Sequence, residues 1–161
     1  MKEKPTRNTG TITETTKEDY PKLIVERGEV YFFDKERSEL IKLKEYRIGK
    51  ERNRENPVTI GREDPETIGK NDILIDKRYQ SVSRHHTEIY FDENENSYFL
   101  VDHSLNGTCV NGENVGGKRV GVRRTLKHND LIEIPAGERH IKIRFLMQER
   151  KGIVDWSGIR G

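Results

Sequence analysis

Cysteine is almost absent from this sequence: Cys109 is the only one. That excludes an intrachain disulfide framework and a zinc site built on several thiolates. Long apolar runs are missing too. Nowhere do about 18 apolar residues follow one another, so no transmembrane helix is expected. Residues 1–10 lack the apolar stretch of a secretory signal. The expectation is a reducing intracellular setting, cytoplasmic or nuclear, with no membrane partner. An excess of one charge sign is also missing. Thirty basic side chains against 28 acidic ones leave a formal net charge of +2, which gives no global case for nucleic acid as a partner. Hydrophobic residues are scarce at 31% and aromatic ones at 7%, so a core forms only where they are concentrated.

They are concentrated. Before residue 20, Ile12 is the one Ile, Leu, Val or Phe, and the segment is rich in threonine. Residues 1–19 are therefore expected to be a flexible polar tail. Residues 20–147 hold the apolar runs and are read as one domain. Residues 148–161 form a second tail, in which Ile153, Trp156 and Ile159 either pack back on the domain or meet a partner. Short β-type runs recur at 22–26, 29–33, 40–48, 58–60, 73–75, 87–92, 97–102, 108–110, 131–134 and 140–146. Turn chemistry separates them, including Asp92–Asn96, Asn106-Gly107, Asn111-Gly112 and Gly116-Gly117. No amphipathic helix and no internal repeat interrupts the series. Such spacing predicts an all-β sandwich or barrel.

Four stretches stand out: Thr59-Ile60-Gly61-Arg62, Asn71-Asp72-Ile73, Ser81-Val82-Ser83-Arg84-His85-His86, and the run from Asp102 to Gly112 (DHSLNGTCVNG). In order and spacing they resemble the forkhead-associated (FHA) domain family, whose pattern is Gly-Arg, then Ser-x-x-His, then Asn-Gly with a following Thr and a second Asn-Gly. The resemblance implies an FHA-type sandwich of two antiparallel-rich sheets, about eleven strands, with binding loops at one end. It implies a module for phosphothreonine peptides, acting in phosphorylation-dependent signalling downstream of a Ser/Thr kinase. Carried over by motif, Arg62 and Ser83 contact the phosphate and Arg84 contacts phosphate or peptide backbone. Asn106 hydrogen-bonds the ligand main chain beside Leu105, which stands where the family often has Thr. Gly61, His86, Gly107 and Thr108 support the site.

The chemistry of these residues suits that role. A phosphothreonine carries about −1.5 to −2 charges and three strong acceptor oxygens. Arg62 brings a planar cation that keeps its charge, Ser83 a hydroxyl donor, and Arg84 a second cation. The Asn106 amide offers both a donor and an acceptor, as reading a peptide backbone requires. Threonine over serine is a smaller matter, since one buried methyl is worth about 0.8 kcal/mol.

Other readings of the same residues are weaker. Ser83 and His86 lack a nucleophile elbow and a third partner, so an enzyme is not expected. Adjacent histidines on a strand face opposite ways, so His85 and His86 make a poor chelate, and no metal or cofactor is expected. Lys118, Arg119, Arg123, Arg124 and Lys127 form a basic stretch without aromatic stacking residues. It suits acidic residues flanking a phosphosite as well as it suits nucleic acid. The alternative function is a structural or nucleic-acid-associated FHA-like domain whose phosphate site is unused. Glu14-Thr15-Thr16 resembles the tail of small bacterial FHA regulators, which implies intramolecular binding once Thr15 or Thr16 is phosphorylated.

Overall fold

The computed structural model describes residues 21–138 and 140–147. These form thirteen strands, numbered along the chain, and no helix. One sheet has six strands in the order β10 (Glu113–Val115), β9 (Thr108–Val110), β12 (Asp130–Ile134), β13 (Ile141–Leu146), β1 (Lys22–Arg27) and β4 (Glu45–Arg47). The other has seven: β11 (Val122–Leu126), β8 (Ser97–Asp102), β7 (Thr87–Asp92), β5 (Val58–Arg62), β6 (Ile73–Ile75), β2 (Val30–Asp34) and β3 (Glu39–Lys42). Among the described residues every pairing is antiparallel except β5 with β6. Both tails, with Thr15, Thr16, Ile153, Trp156 and Ile159, lie outside the described residues.

Alternation explains most of the strands. In β13, Ile141, Ile143 and Phe145 are buried and the residues between them are not. They join Leu23, Val110, Ile132 and Ile134 of the same sheet. Facing them are Val30, Val58, Ile60, Ile73, Ile75, Ile89, Leu100 and Leu126 of the other. This is the interleaved core of a two-layer sandwich. The parallel member β6 departs from alternation: Ile73, Leu74 and Ile75 are all fully buried. A strand covered on both faces reads as a continuous apolar run.

The run 40–48 is two strands rather than one. β3 pairs with β2 in the larger sheet, and β4 pairs with β1 in the smaller. The chain crosses between layers at Leu43 and Lys44. There the Leu43 N–H bonds the Val30 carbonyl at 2.8 Å and the Lys44 carbonyl accepts from the Val25 N–H at 2.9 Å. The charged loop 49–57 is also pinned. Arg52 donates to Asp72 at 2.9 Å, to the Tyr46 hydroxyl at 2.8 Å and to the Pro57 carbonyl at 3.1 Å.

The pairing of β1 with β13 sets Lys22 opposite Leu146. The two ends of the sandwich chain therefore lie side by side. The opposite end of β13 starts from the 135–140 turn, which touches the 103–107 loop: Ala136 N–H bonds the Gly107 carbonyl at 2.8 Å.

Candidate functional site

Four connections meet at that far end: β5–β6 (63–72), β6–β7 (76–86), β8–β9 (103–107) and β10–β11 (116–121). Their hydrogen bonds bring the motif residues together. Arg62 closes β5, and its N–H bonds the Ser83 carbonyl at 2.9 Å. Its Nη1 donates to the carbonyls of Val82 and, at 3.1 Å, of Gln80. Among the described residues, Nε and Nη2 have no partner. One edge of the guanidinium is thus fixed to the loop backbone, and the other donors remain available.

His86 is fully buried and ties two loops. Its Nδ1 accepts from the Ser83 N–H at 3.0 Å, and its Nε2–H donates to the Gly107 carbonyl at 2.9 Å. Burial holds its imidazole below the ordinary histidine value, against the Gly107 hydrogen bond that favours the charged form. A neutral ring is what this pairing needs, because Nδ1 must accept. Ser83 Oγ accepts from the Leu105 N–H at 3.1 Å, which leaves its own proton to donate. Asn106 Nδ2 donates to the Ser81 carbonyl at 2.8 Å. Leu105 is exposed, and its carbonyl takes the Lys118 N–H at 2.8 Å.

Arg84 stands apart from this net. Its exposed guanidinium meets Glu66 at 3.2 Å, while its carbonyl accepts from Asn71 Nδ2 at 2.7 Å. That carbonyl explains Gly61: a Cβ there would lie 1.9 Å from the Arg84 oxygen. Gly107 is likewise required, because its φ of +91° is one that L side chains rarely adopt.

Asp102 underlies the loop cluster and was not singled out by sequence. It is fully buried at the end of β8. Its Oδ1 accepts from Ser104 Oγ at 2.7 Å and from Thr108 Oγ1 at 2.8 Å, and its Oδ2 accepts from the Gly117 N–H at 2.7 Å. Ser104 Oγ in turn accepts from the Gly107 N–H at 2.7 Å. One carboxylate so joins β8, β9 and the 116–121 loop. The sequence signal was an Asp two and six residues before hydroxyl side chains and just after an apolar strand.

Residues 58–135 match the family model of the FHA domain. That stretch belongs to the FHA domain family. Solved FHA structures share the fold. The kinase-interacting FHA domain of the kinase associated protein phosphatase KAPP in Arabidopsis is 23% identical with a TM-score of 0.55, over 81% of this chain and 96% of that one. The N-terminal FHA domain of S. cerevisiae Rad53p, solved in complex with a phosphothreonine peptide, is 19% identical with a TM-score of 0.52, over 84% and 98%. Full-length yeast Pml1p is 19% identical with a TM-score of 0.54, over 91% and 99%. No curated protein matches the chain significantly. The FHA fold is typically a non-catalytic binding module. No described helix is long and apolar enough to cross a membrane.

Proposed function

We propose that this FHA domain binds phosphothreonine peptides in phosphorylation-dependent signalling inside the cell, with residues 20–147 as the working unit. FHA domains generally bind such peptides. The observation that carries the reading for this chain is the shared anchoring of Arg62 and Ser83. Arg62 is fixed to the 80–86 loop, and Ser83 within that loop to Leu105, by bonds that leave guanidinium donors and a hydroxyl proton unspent. On this reading Arg62 and Ser83 take the phosphate. Arg84 joins them by leaving Glu66, an exposed pairing that costs little to break. Asn106 Oδ1 accepts from the peptide main chain, and the exposed Leu105 side chain meets the threonine methyl.

Charge-assisted bonds to phosphate are worth roughly 1.5–3 kcal/mol each. Losing Arg62 removes at least two of them together with its charge. The test is binding to a degenerate phosphothreonine peptide library beside matched phosphoserine and unphosphorylated libraries. Wild type retains the phosphothreonine set, and folded Arg62→Ala loses it. Binding that ignores phosphorylation and falls steeply with salt overturns the reading in favour of a nucleic-acid or structural role.

A further inference from the structure

His85, Glu88 and His103 meet on the outer face of the seven-stranded sheet, beside the loop cluster but outside its bonding net. Just before β7 the chain buries His86 and leaves His85 exposed. His103 follows the inward Asp102 and is hydrogen-bonded through its backbone N–H to the His86 carbonyl at 2.9 Å. The rings of His85 and His103 lie 4.6 Å apart. Between them stands the Glu88 carboxylate, with Oε2 3.2 Å from His85 Nε2 and Oε1 3.1 Å from His103 Nε2. Parity argues against His85 with His86 as a chelate. It does not argue against His85 with His103, which come together from the segments flanking the paired strands β7 and β8.

Two observations point past an ordinary ion pair. All three ligand atoms lie within 4.8 Å of one another. A zinc ion with bonds of about 2.0–2.2 Å in tetrahedral geometry holds its ligand atoms roughly 3.3 Å apart, close to the two short contacts here. Second, His103 Nε2 is shut off from solvent and has no well-aligned hydrogen bond, its near neighbour being Glu88 Oε1 at 3.1 Å. A buried nitrogen without a well-aligned bond is costly, and a cation held between it and Glu88 would satisfy it.

We propose that His85, Glu88 and His103 form a binding site for a zinc-class divalent cation. Two imidazoles and one carboxylate are borderline ligands that favour zinc and its late transition-metal neighbours over magnesium or calcium. Three protein ligands leave one coordination position open to water or to an anionic group. Glu88 belongs to β7 and His103 directly follows β8, strands paired through six residues, so two of the three ligands have a rigid footing. His85, half exposed and outside the strands, supplies the third ligand.

The test uses the untagged full chain titrated with zinc chloride near neutral pH, with magnesium chloride as the hard-ion control. Wild type is expected to bind one zinc and to melt at higher temperature with it, and to ignore magnesium. Glu88→Gln and His103→Asn are each expected to weaken zinc binding at least about tenfold, the scale on which even outer-shell partners of a metal count. His128→Asn and His140→Asn are expected to bind as wild type does. Nitrogen NMR of the imidazoles in unsubstituted protein reads ligation directly, so a variant that fails to fold does not block the answer. Zinc-induced shifts confined to His85 and His103 support the site. Absence of zinc binding, shifts at other histidines only, or undiminished binding in folded Glu88→Gln overturns it.

Discussion

A glycine, a carboxylate and a histidine hold the candidate phosphate loops in place. The Arg84 carbonyl occupies the space a side chain at residue 61 would need. Gly61→Ala is expected to cost about 1–3 kcal/mol, as overpacking does, and to shift the 83–86 segment. Chemical denaturation and phosphopeptide affinity should both report it. Asp102→Ala would strip an acceptor from two hydroxyls and one N–H, all buried. Each orphaned donor costs roughly 1–3 kcal/mol, so a loss of several kcal/mol in urea unfolding is expected. Sequence made Arg62, Ser83, His86 and Asn106 visible because their motif is local and ordered. Asp102 stayed hidden because its third partner is Gly117, and only the pairing of β8 with β11 brings that N–H under it.

Among the elements, those with a buried face were the legible ones. β13 alternates cleanly, β7 and β8 bury apolar pairs at their centres, and sequence placed all three to within a residue. β10 and β11 escaped notice. β11 is the outer strand of its sheet, and its Val122 and Arg123 are exposed. Charge on an outer strand blocks pairing with other molecules, and it also erases the apolar pattern by which a strand is recognised. The part of the basic stretch from Val122 to Leu126 is thus sheet. Arg123 caps the Phe99 ring at 3.7 Å and Arg124 pairs with Glu113 at 2.7 Å. Lys118 and Arg119 are different. Their backbones anchor the 116–121 loop on Leu105 and Ser104 while their side chains stay exposed. Reversing both charges to glutamate is expected to leave stability unchanged. It should slow phosphopeptide association several-fold at low salt, with the difference shrinking as screening rises. Association rates at two ionic strengths would show it.

For the molecule as a whole, β1 against β13 joins the first described strand to the last, so the fold closes only when distant segments meet. Such topologies fold slowly but melt as one unit. Limited proteolysis is expected to trim the chain to a core near residues 20–147 that unfolds in a single transition; early cleavage within 49–57 would contradict that boundary. The same pairing also sets the length of a leash. The polypeptide enters the sandwich at Lys22, beside Leu146, while Arg62 and Ser83 sit past the far end of β13. β13 has six residues, which at about 3.3 Å each makes a span near 20 Å. From Thr16 to Pro21 a fully drawn chain covers at most about 18 Å. Thr15 stands one residue further back, and from it to Pro21 the drawn chain covers about 22 Å, so the tail and the span are of one size. Anchored at the remote end, the chain before residue 21 must run the length of β13 before it can meet the loops of its own molecule.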